Sequence, residues 1–168
     1  MKYILTILLF GILATSCEST NNIYLVRHAE KSGEPANDPH LTKEGKQRAE
    51  TLKDLLKNKN INAIFSTQTN RTEETAKPLS MLLNIPVQYY GNDTLPEFLQ
   101  TVAALKKNTL IVGHSNTTVT MISSLRFRQT ITYINEDDYD NLFIIKVKNG
   151  KAVKLTETTY GTNSPQGK

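Results

Sequence analysis

Two histidines and two arginines stand where chemistry can be done. Arg27 and His28 follow the apolar, β-prone run Ile23-Tyr24-Leu25-Val26, and His114 closes a second such run, Thr109-Leu110-Ile111-Val112-Gly113. Arg71 comes shortly after a third, Ala63-Ile64-Phe65-Ser66. In a parallel sheet the carboxyl ends of the strands share one edge, and open α/β sheets hold their ligands there. The four side chains would then make one cationic pocket. Arginine's planar fork suits a phosphoryl or carboxylate group, and the helix start after Asn70 adds backbone N–H donors. Positive neighbours disfavour imidazolium, so both histidines should titrate low and present a neutral imidazole, which is a competent nucleophile. The combination points to covalent phosphoryl transfer through a phosphohistidine.

The elements that would position these groups follow from periodicity. After the first strand, Ala29 to His40 is rich in Gly, Pro, Asn and Asp and reads as a loop over the site. From Thr42, a plausible N-cap, Ala49, Leu52, Leu55 and Leu56 share a helical face, and Asn58 to Asn60 end that helix. Thr72 to Leu83 is a second helix, with Pro78 expected to kink it or mark its first turn. Pro86 to Tyr90 is a strand, Gly91 to Thr94 a turn, and Pro96 opens a helix over Glu97 to Leu105. Another helix should cover Asn116 to Leu125. Near the end, Leu142 to Lys148 and Lys151 to Glu157 flank Asn149-Gly150, a type I′ hairpin signal because both residues tolerate positive φ. Strand–helix alternation followed by a hairpin predicts an α/β three-layer sandwich: a mainly parallel central sheet, helices on both faces, and an antiparallel C-terminal hairpin at the edge.

The 168 residues allow one domain with a respectable core. Hydrophobic content of 38% and charged content of 21% fit a globular chain rather than a disordered one. The formal charge of +4 comes without a Lys/Arg stripe interleaved with aromatics, so nucleic acid is not an expected partner. The first residues are different material. Lys2 is followed by an apolar run from Tyr3 to Leu13, then by the small residues Ala14-Thr15-Ser16 and by Cys17, the sole cysteine. This resembles a secretory signal ending in the lipobox of bacterial lipoproteins, although Ala14 stands where a leucine is usual. The expected organisation is a lipoprotein-type signal peptide over 1–16, a tether over 17–22, the domain over 23–160 and a flexible tail over 161–168. Cys17 would carry the lipid anchor, holding the protein in the bacterial cell envelope outside the cytoplasm. With one cysteine, no intrachain disulfide can form.

Four segments match a family. Leu25-Val26-Arg27-His28-Ala29-Glu30 resembles the signature of the histidine phosphatase superfamily, in its phosphoglycerate mutase-like branch. Leu41-Thr42-Lys43-Glu44-Gly45-Lys46-Gln47-Arg48-Ala49 is similar to the family's second segment. Ser66-Thr67 with Arg71-Thr72 and Thr75-Ala76 is similar to the third, and Val112-Gly113-His114-Ser115 to the fourth. The resemblance spans about Ile23 to Leu125. It implies that His28 is the phosphorylated nucleophile and that Arg27, Arg71 and His114 complete the phosphate pocket. It further implies two-step hydrolysis without a metal or other cofactor, and a small phosphorylated substrate or a phosphoprotein as partner. The family's general acid is usually a carboxylate some twenty-odd residues past the second arginine. Asp93 and Glu97 fall in that window, and Asp93, on a turn after a strand, is the preferred proton donor.

Other residues carry blander expectations. His40, Glu30 and Lys31 read as exposed loop positions, Glu136-Asp137-Asp138 and Asp140 as a solvated turn, and Tyr139 as free to pack anywhere. No spacing suits a zinc site. Two rival functions stay open: a non-catalytic anion-binding lipoprotein, and a serine hydrolase using Ser115 within Gly113-His114-Ser115-Asn116-Thr117. The second lacks a histidine after the serine, which the α/β-hydrolase order requires.

Overall fold

A computed structural model describes residues 18–128 and 131–164. The leader over 1–16, Cys17 and the last four residues lie outside that range. The chain forms β1 (Thr20–Arg27), α1 (Lys43–Leu56), β2 (Ile61–Ser66), α2 (Asn70–Leu83) and β3 (Val87–Tyr89). It continues through α3 (Leu95–Ala104), β4 (Asn108–Gly113), α4 (Ser115–Ser124), β5 (Asn141–Lys148) and β6 (Lys151–Thr159). One six-stranded sheet has the order β3-β2-β4-β1-β5-β6. Its first four strands are parallel, and β5 and β6 form the antiparallel hairpin beyond β1. The α/β three-layer sandwich expected from the sequence is the architecture observed.

β1 is central and buried on both faces, which is why its sequence is a continuous apolar run rather than an alternating one. Ile23 and Leu25 pack on one side with Leu99 and Val102 of α3 and Met121 and Ile122 of α4. Tyr24 and Val26 pack on the other with Leu52 and Leu56 of α1 and Ala76 and Leu79 of α2. The connection leaving β1 therefore crosses one face of the sheet, and the one leaving its neighbour β4 crosses the other. Between two such strands the chain opens a crevice at their carboxyl ends. Val26 pairs with Val112 and Arg27 with Gly113, so His28 and His114 emerge side by side at that crevice.

Local signals hold where they rest on short-range chemistry. Thr42 caps α1, its hydroxyl accepting from the Gly45 N–H at 3.1 Å. Asn149 and Gly150 take φ of 51° and 77° between β5 and β6, as a type I′ turn requires. Three boundaries differ from the reading. β1 starts at Thr20 instead of Ile23, because Thr20, Asn21 and Asn22 pair with Lys148, Val147 and Lys146 of β5. α2 starts at Asn70, which puts Pro78 well inside the helix rather than in its first turn. Residues 161–164 do not fray: Arg48 donates to the carbonyls of Tyr160 and Thr162, each at 2.8 Å. The Ser164 N–H also donates to Asp140 at 2.8 Å.

Gly45 is required by a close approach. A Cβ there would lie 2.2 Å from the Glu30 carbonyl oxygen, against which the first turn of α1 is packed. Gly45→Ala is expected to cost about 1–3 kcal/mol, the range of overpacked cores, as read by urea unfolding. An equally stable variant would mean that the Glu30 backbone yields freely.

Candidate active site

His28 is 3% exposed, and its backbone N–H donates to Gly113 O at 2.8 Å, tying it to β4. Its Nδ1 lies 2.8 Å from Ala29 O. A carbonyl only accepts, so Nδ1 carries the proton and Nε2 keeps its lone pair. The His114 ring stands 5.4 Å away, edge-on at 67°. Its Nε2 is 3.0 Å from the Thr67 hydroxyl, and its Nδ1 is 3.4 Å from Arg71 Nη2. Because guanidinium only donates, His114 Nδ1 is the acceptor and its Nε2–H faces Thr67. The backbone of Ala29 is pinned in turn, its N–H donating to Thr75 Oγ1 at 2.9 Å. Thr67 and Thr75, which the sequence offered only as parts of a motif, thus hold the two histidine-bearing segments against α2.

Arg27 is the largest fully buried side chain and is 2% exposed. Its Nη1 donates to the carbonyls of Asn135 at 2.7 Å and Asp138 at 3.2 Å, and Nη2 to Glu136 Oε2 at 2.8 Å. The Tyr139 ring lies under the guanidinium at 4.6 Å and 6.0 Å from the His28 ring. The Arg27 Nε–H is buried with no partner among the described residues. Arg71 reaches Asp38 Oδ1 at 3.4 Å, a carboxylate oxygen that also accepts from the Asn70 N–H at 2.9 Å. The two histidines and two arginines are therefore brought together, as their positions at strand ends suggested.

Both imidazoles titrate far below the ordinary histidine value of 6.5. His28 falls to about 3, chiefly through burial, with Arg27, His114 and Arg71 adding to the shift and the Ala29 carbonyl opposing it. His114 falls to about 4, again through burial first, then Arg71 and Arg27, while Glu136 and Asp38 pull it back. Positive charge was expected to depress them; desolvation does more. The folded state thus binds these protons more weakly than the unfolded chain. Stability from this source is complete above about pH 6.5 and is lost as pH falls from there toward 4 and then 3. Between pH 7 and pH 5, urea unfolding should show a loss on the order of 1–2 kcal/mol per histidine. Asparagine at both positions should flatten that dependence, and an unchanged slope would deny the burial.

Several expectations need correction. Glu136 is not a merely solvated turn residue: it pairs with Arg27 and accepts from the Ser115 hydroxyl at 2.8 Å. Asp140 is buried, and burial raises its carboxyl above the usual range. Glu30 is not a free loop charge, since Arg48 grips it through Nε and Nη2 at 2.7–3.0 Å. His40 is exposed, as expected, and bonds Glu74 Oε1 at 2.6 Å. Asp93 is exposed on the turn before α3, and Glu97 is exposed in its first turn. Of the carboxylates, Glu136 and Asp38 are the ones that raise His114 against the arginines. Ser115 directs its hydroxyl at a carboxylate rather than an imidazole.

With this geometry in place, the chain was compared with known proteins. Residues 23–98 match the model of the histidine phosphatase superfamily, branch 1. Over that span the chain is similar to the histidine phosphatase superfamily. The matched span holds Arg27, His28 and Arg71; His114 lies beyond it. The coarse activity that goes with this match is that of a phosphatase. None of the curated proteins matches in sequence. Among solved structures, a protein described as the phosphohistidine phosphatase SixA from Agrobacterium tumefaciens is 18% identical, with a TM-score of 0.60 over 86% of this chain and 99% of that one. The protein histidine phosphatase SixA complexed with tungstate is 15% identical, with a TM-score of 0.66 over 85% and 96%. A mycobacterial glucosyl-3-phosphoglycerate phosphatase is 8% identical, with a TM-score of 0.61 over 87% and 100%. At these identities the likeness is one of fold, and the histidine phosphatase fold extends over nearly the whole of each relative.

Proposed function

We propose that the protein hydrolyses a phosphomonoester or a phosphohistidine in two steps, through a phosphohistidine intermediate on His28. The observation that carries this reading is the Nδ1 bond of His28 to Ala29 O, which leaves Nε2 with its lone pair beside His114 and two arginines. In the first step Nε2 attacks phosphorus in line, the bond to the leaving oxygen or nitrogen breaks, and the electron pair departs with that atom. In the second, water attacks the same phosphorus and the pair returns to Nε2, giving inorganic phosphate. Arg27 and Arg71 neutralise the equatorial oxygens, so no metal is called for. The unpartnered Nε–H of Arg27 is a donor ready for one of those oxygens. Tungstate, found with one SixA, is a tetrahedral oxyanion of the kind such a pocket would bind. The relatives' names span phosphoproteins and phosphorylated small molecules, and both classes are candidates here. A lipid anchor at Cys17 would put the site outside the cytoplasm, where a phosphomonoester is the preferred substrate. Labelled palmitate should enter the protein and be lost in Cys17→Ala.

The proton donor has two claimants. Asp93 is favoured by its place in the sequence, Glu136 by its contact with the pocket, and Glu136 is assigned the role. When a phosphate dianion takes over Arg27, Glu136 loses its positive partner and is free to turn toward the leaving oxygen as the proton donor. Glu136→Gln should lower turnover of an alkyl phosphate about 10²–10⁴-fold, with little effect on p-nitrophenyl phosphate, whose leaving group needs no proton. Asp93→Asn is the matched control. The reverse pattern would move the role to Asp93. Phosphate binding without turnover of any ester would instead support a silent anion-binding protein.

A further inference from the structure

The opposite end of the sheet from the histidines has a chemistry of its own. Four separate stretches meet there: 18–22, 57–60, 106–108 and 148–151. Hydrogen bonds knit them together. The Asn149 N–H donates to Ser19 O at 2.9 Å, and Asn21 Nδ2 to Lys107 O at 2.9 Å. The Asn22 N–H donates to Asn108 Oδ1 and Asn108 Nδ2 to Lys59 O, both at 2.8 Å. These stretches read ESTNN, KNKN, KKN and KNGK. They carry Lys57, Lys59, Lys106, Lys107, Lys148 and Lys151, all exposed, against the carboxylates of Glu18, spent on Lys148 at 2.8 Å, and of Asp54 in α1, spent on Lys57 at 3.0 Å.

Apolar side chains share that end. Helices α1, α2 and α3 run back toward it, and at their C-terminal ends Leu55, Leu82 and the α3 C-cap Leu105 are 40%, 54% and 40% exposed. Lysines interspersed with exposed leucines suit the headgroup region of an anionic bilayer, where the ammonium groups meet lipid phosphates and the leucines reach the acyl boundary. The position of the chain selects this occupant over a soluble partner. The apolar stretch Tyr3–Leu13 and Cys17 directly precede Glu18, so whatever holds the N-terminus to a membrane enters the domain at this face.

We propose that this lysine- and leucine-bearing base of the domain rests on an anionic lipid surface, with the histidine pocket facing away from it. The eight residues of β1 separate the two ends by about 23 Å, at roughly 3.3 Å per residue. The proposal accords with a lipid anchor at Cys17 and is separable from it.

The test places the full-length protein on vesicles of phosphatidylcholine alone or with 30% phosphatidylglycerol. Each lysine is then labelled with a water-soluble amine reagent and read by mass spectrometry. On anionic vesicles the base lysines should label about fivefold more slowly than Lys31, Lys43 and Lys46, and should recover in 1 M salt. Substituting Lys106, Lys107, Lys148 and Lys151 together by glutamine should abolish that protection at Lys57 and Lys59 while leaving turnover of p-nitrophenyl phosphate unchanged. Flotation on phosphatidylcholine alone reports the anchor: its loss in Cys17→Ala, with base protection kept on anionic vesicles, would support both readings independently. Equal labelling of both ends on anionic vesicles would overturn the proposal. So would equal protection on neutral vesicles, which would mean that the chain's own leader covers the base.

Discussion

His28→Ala should reduce turnover of p-nitrophenyl phosphate by at least about 10⁴-fold, the scale on which removal of a covalent nucleophile is felt. It should also abolish the acid-labile, base-stable phosphate that the wild-type protein accumulates with a fast-leaving substrate. The expectation is sharp because no second group can take over. The His114 Nε2–H is directed at Thr67, the Ser115 hydroxyl at Glu136, and His40 is held by Glu74. Since His28 is buried, loss of folding is checked separately by near-ultraviolet circular dichroism and by phosphate binding, both of which alanine should preserve. A folded His28→Ala protein that still turns over would sink the phosphohistidine route.

Arg27→Lys should fail almost as completely, and for two reasons that can be read apart. The carbonyls of Asn135 and Asp138 and the carboxylate of Glu136 are all served by one planar fork. A lysine ammonium cannot reach three acceptors laid out for a guanidinium, nor supply the buried Nε–H. Leaving buried carbonyls unpaired should cost about 1–3 kcal/mol in urea unfolding. Independently, kcat/KM should fall about 10²–10³-fold, by analogy with the loss of one transition-state donor. A variant with wild-type stability and wild-type kinetics would show that Arg27 serves neither purpose.

These two residues were legible because their signal is local: an apolar run of strand length that ends in charge. The cap at Thr42, the turn at Asn149-Gly150 and the pairing of the two histidine strands were legible for the same kind of reason. Glu136 and Tyr139 were not. They sit in the connection between α4 and β5, where no periodicity fixes an element, and the contact from Glu136 to Arg27 spans 109 residues. An acidic turn with an aromatic in it looks like any solvated loop until the sheet brings Arg27 beneath it. Glu30 failed similarly, because its ionic partner Arg48 sits at a buried position of a helix whose other core residues are apolar. The proton donor was not legible either: family spacing offers Asp93, and only the folded contact with Arg27 brings Glu136 forward.

The place of β1 in the sheet has a consequence for how the protein is made. This strand is synthesised first, yet it lies between β4 and β5, pairing Ile23 with Thr109 and Thr20 with Lys148. Both neighbours, and the 135–138 segment that receives Arg27, appear only from residue 108 onward. The nucleophile's strand therefore waits as an apolar segment with both edges open, and no N-terminal fragment can shelter it. The pocket that β1 carries is therefore among the last parts of the fold to close, since both of its edges wait for strands from the far end of the chain.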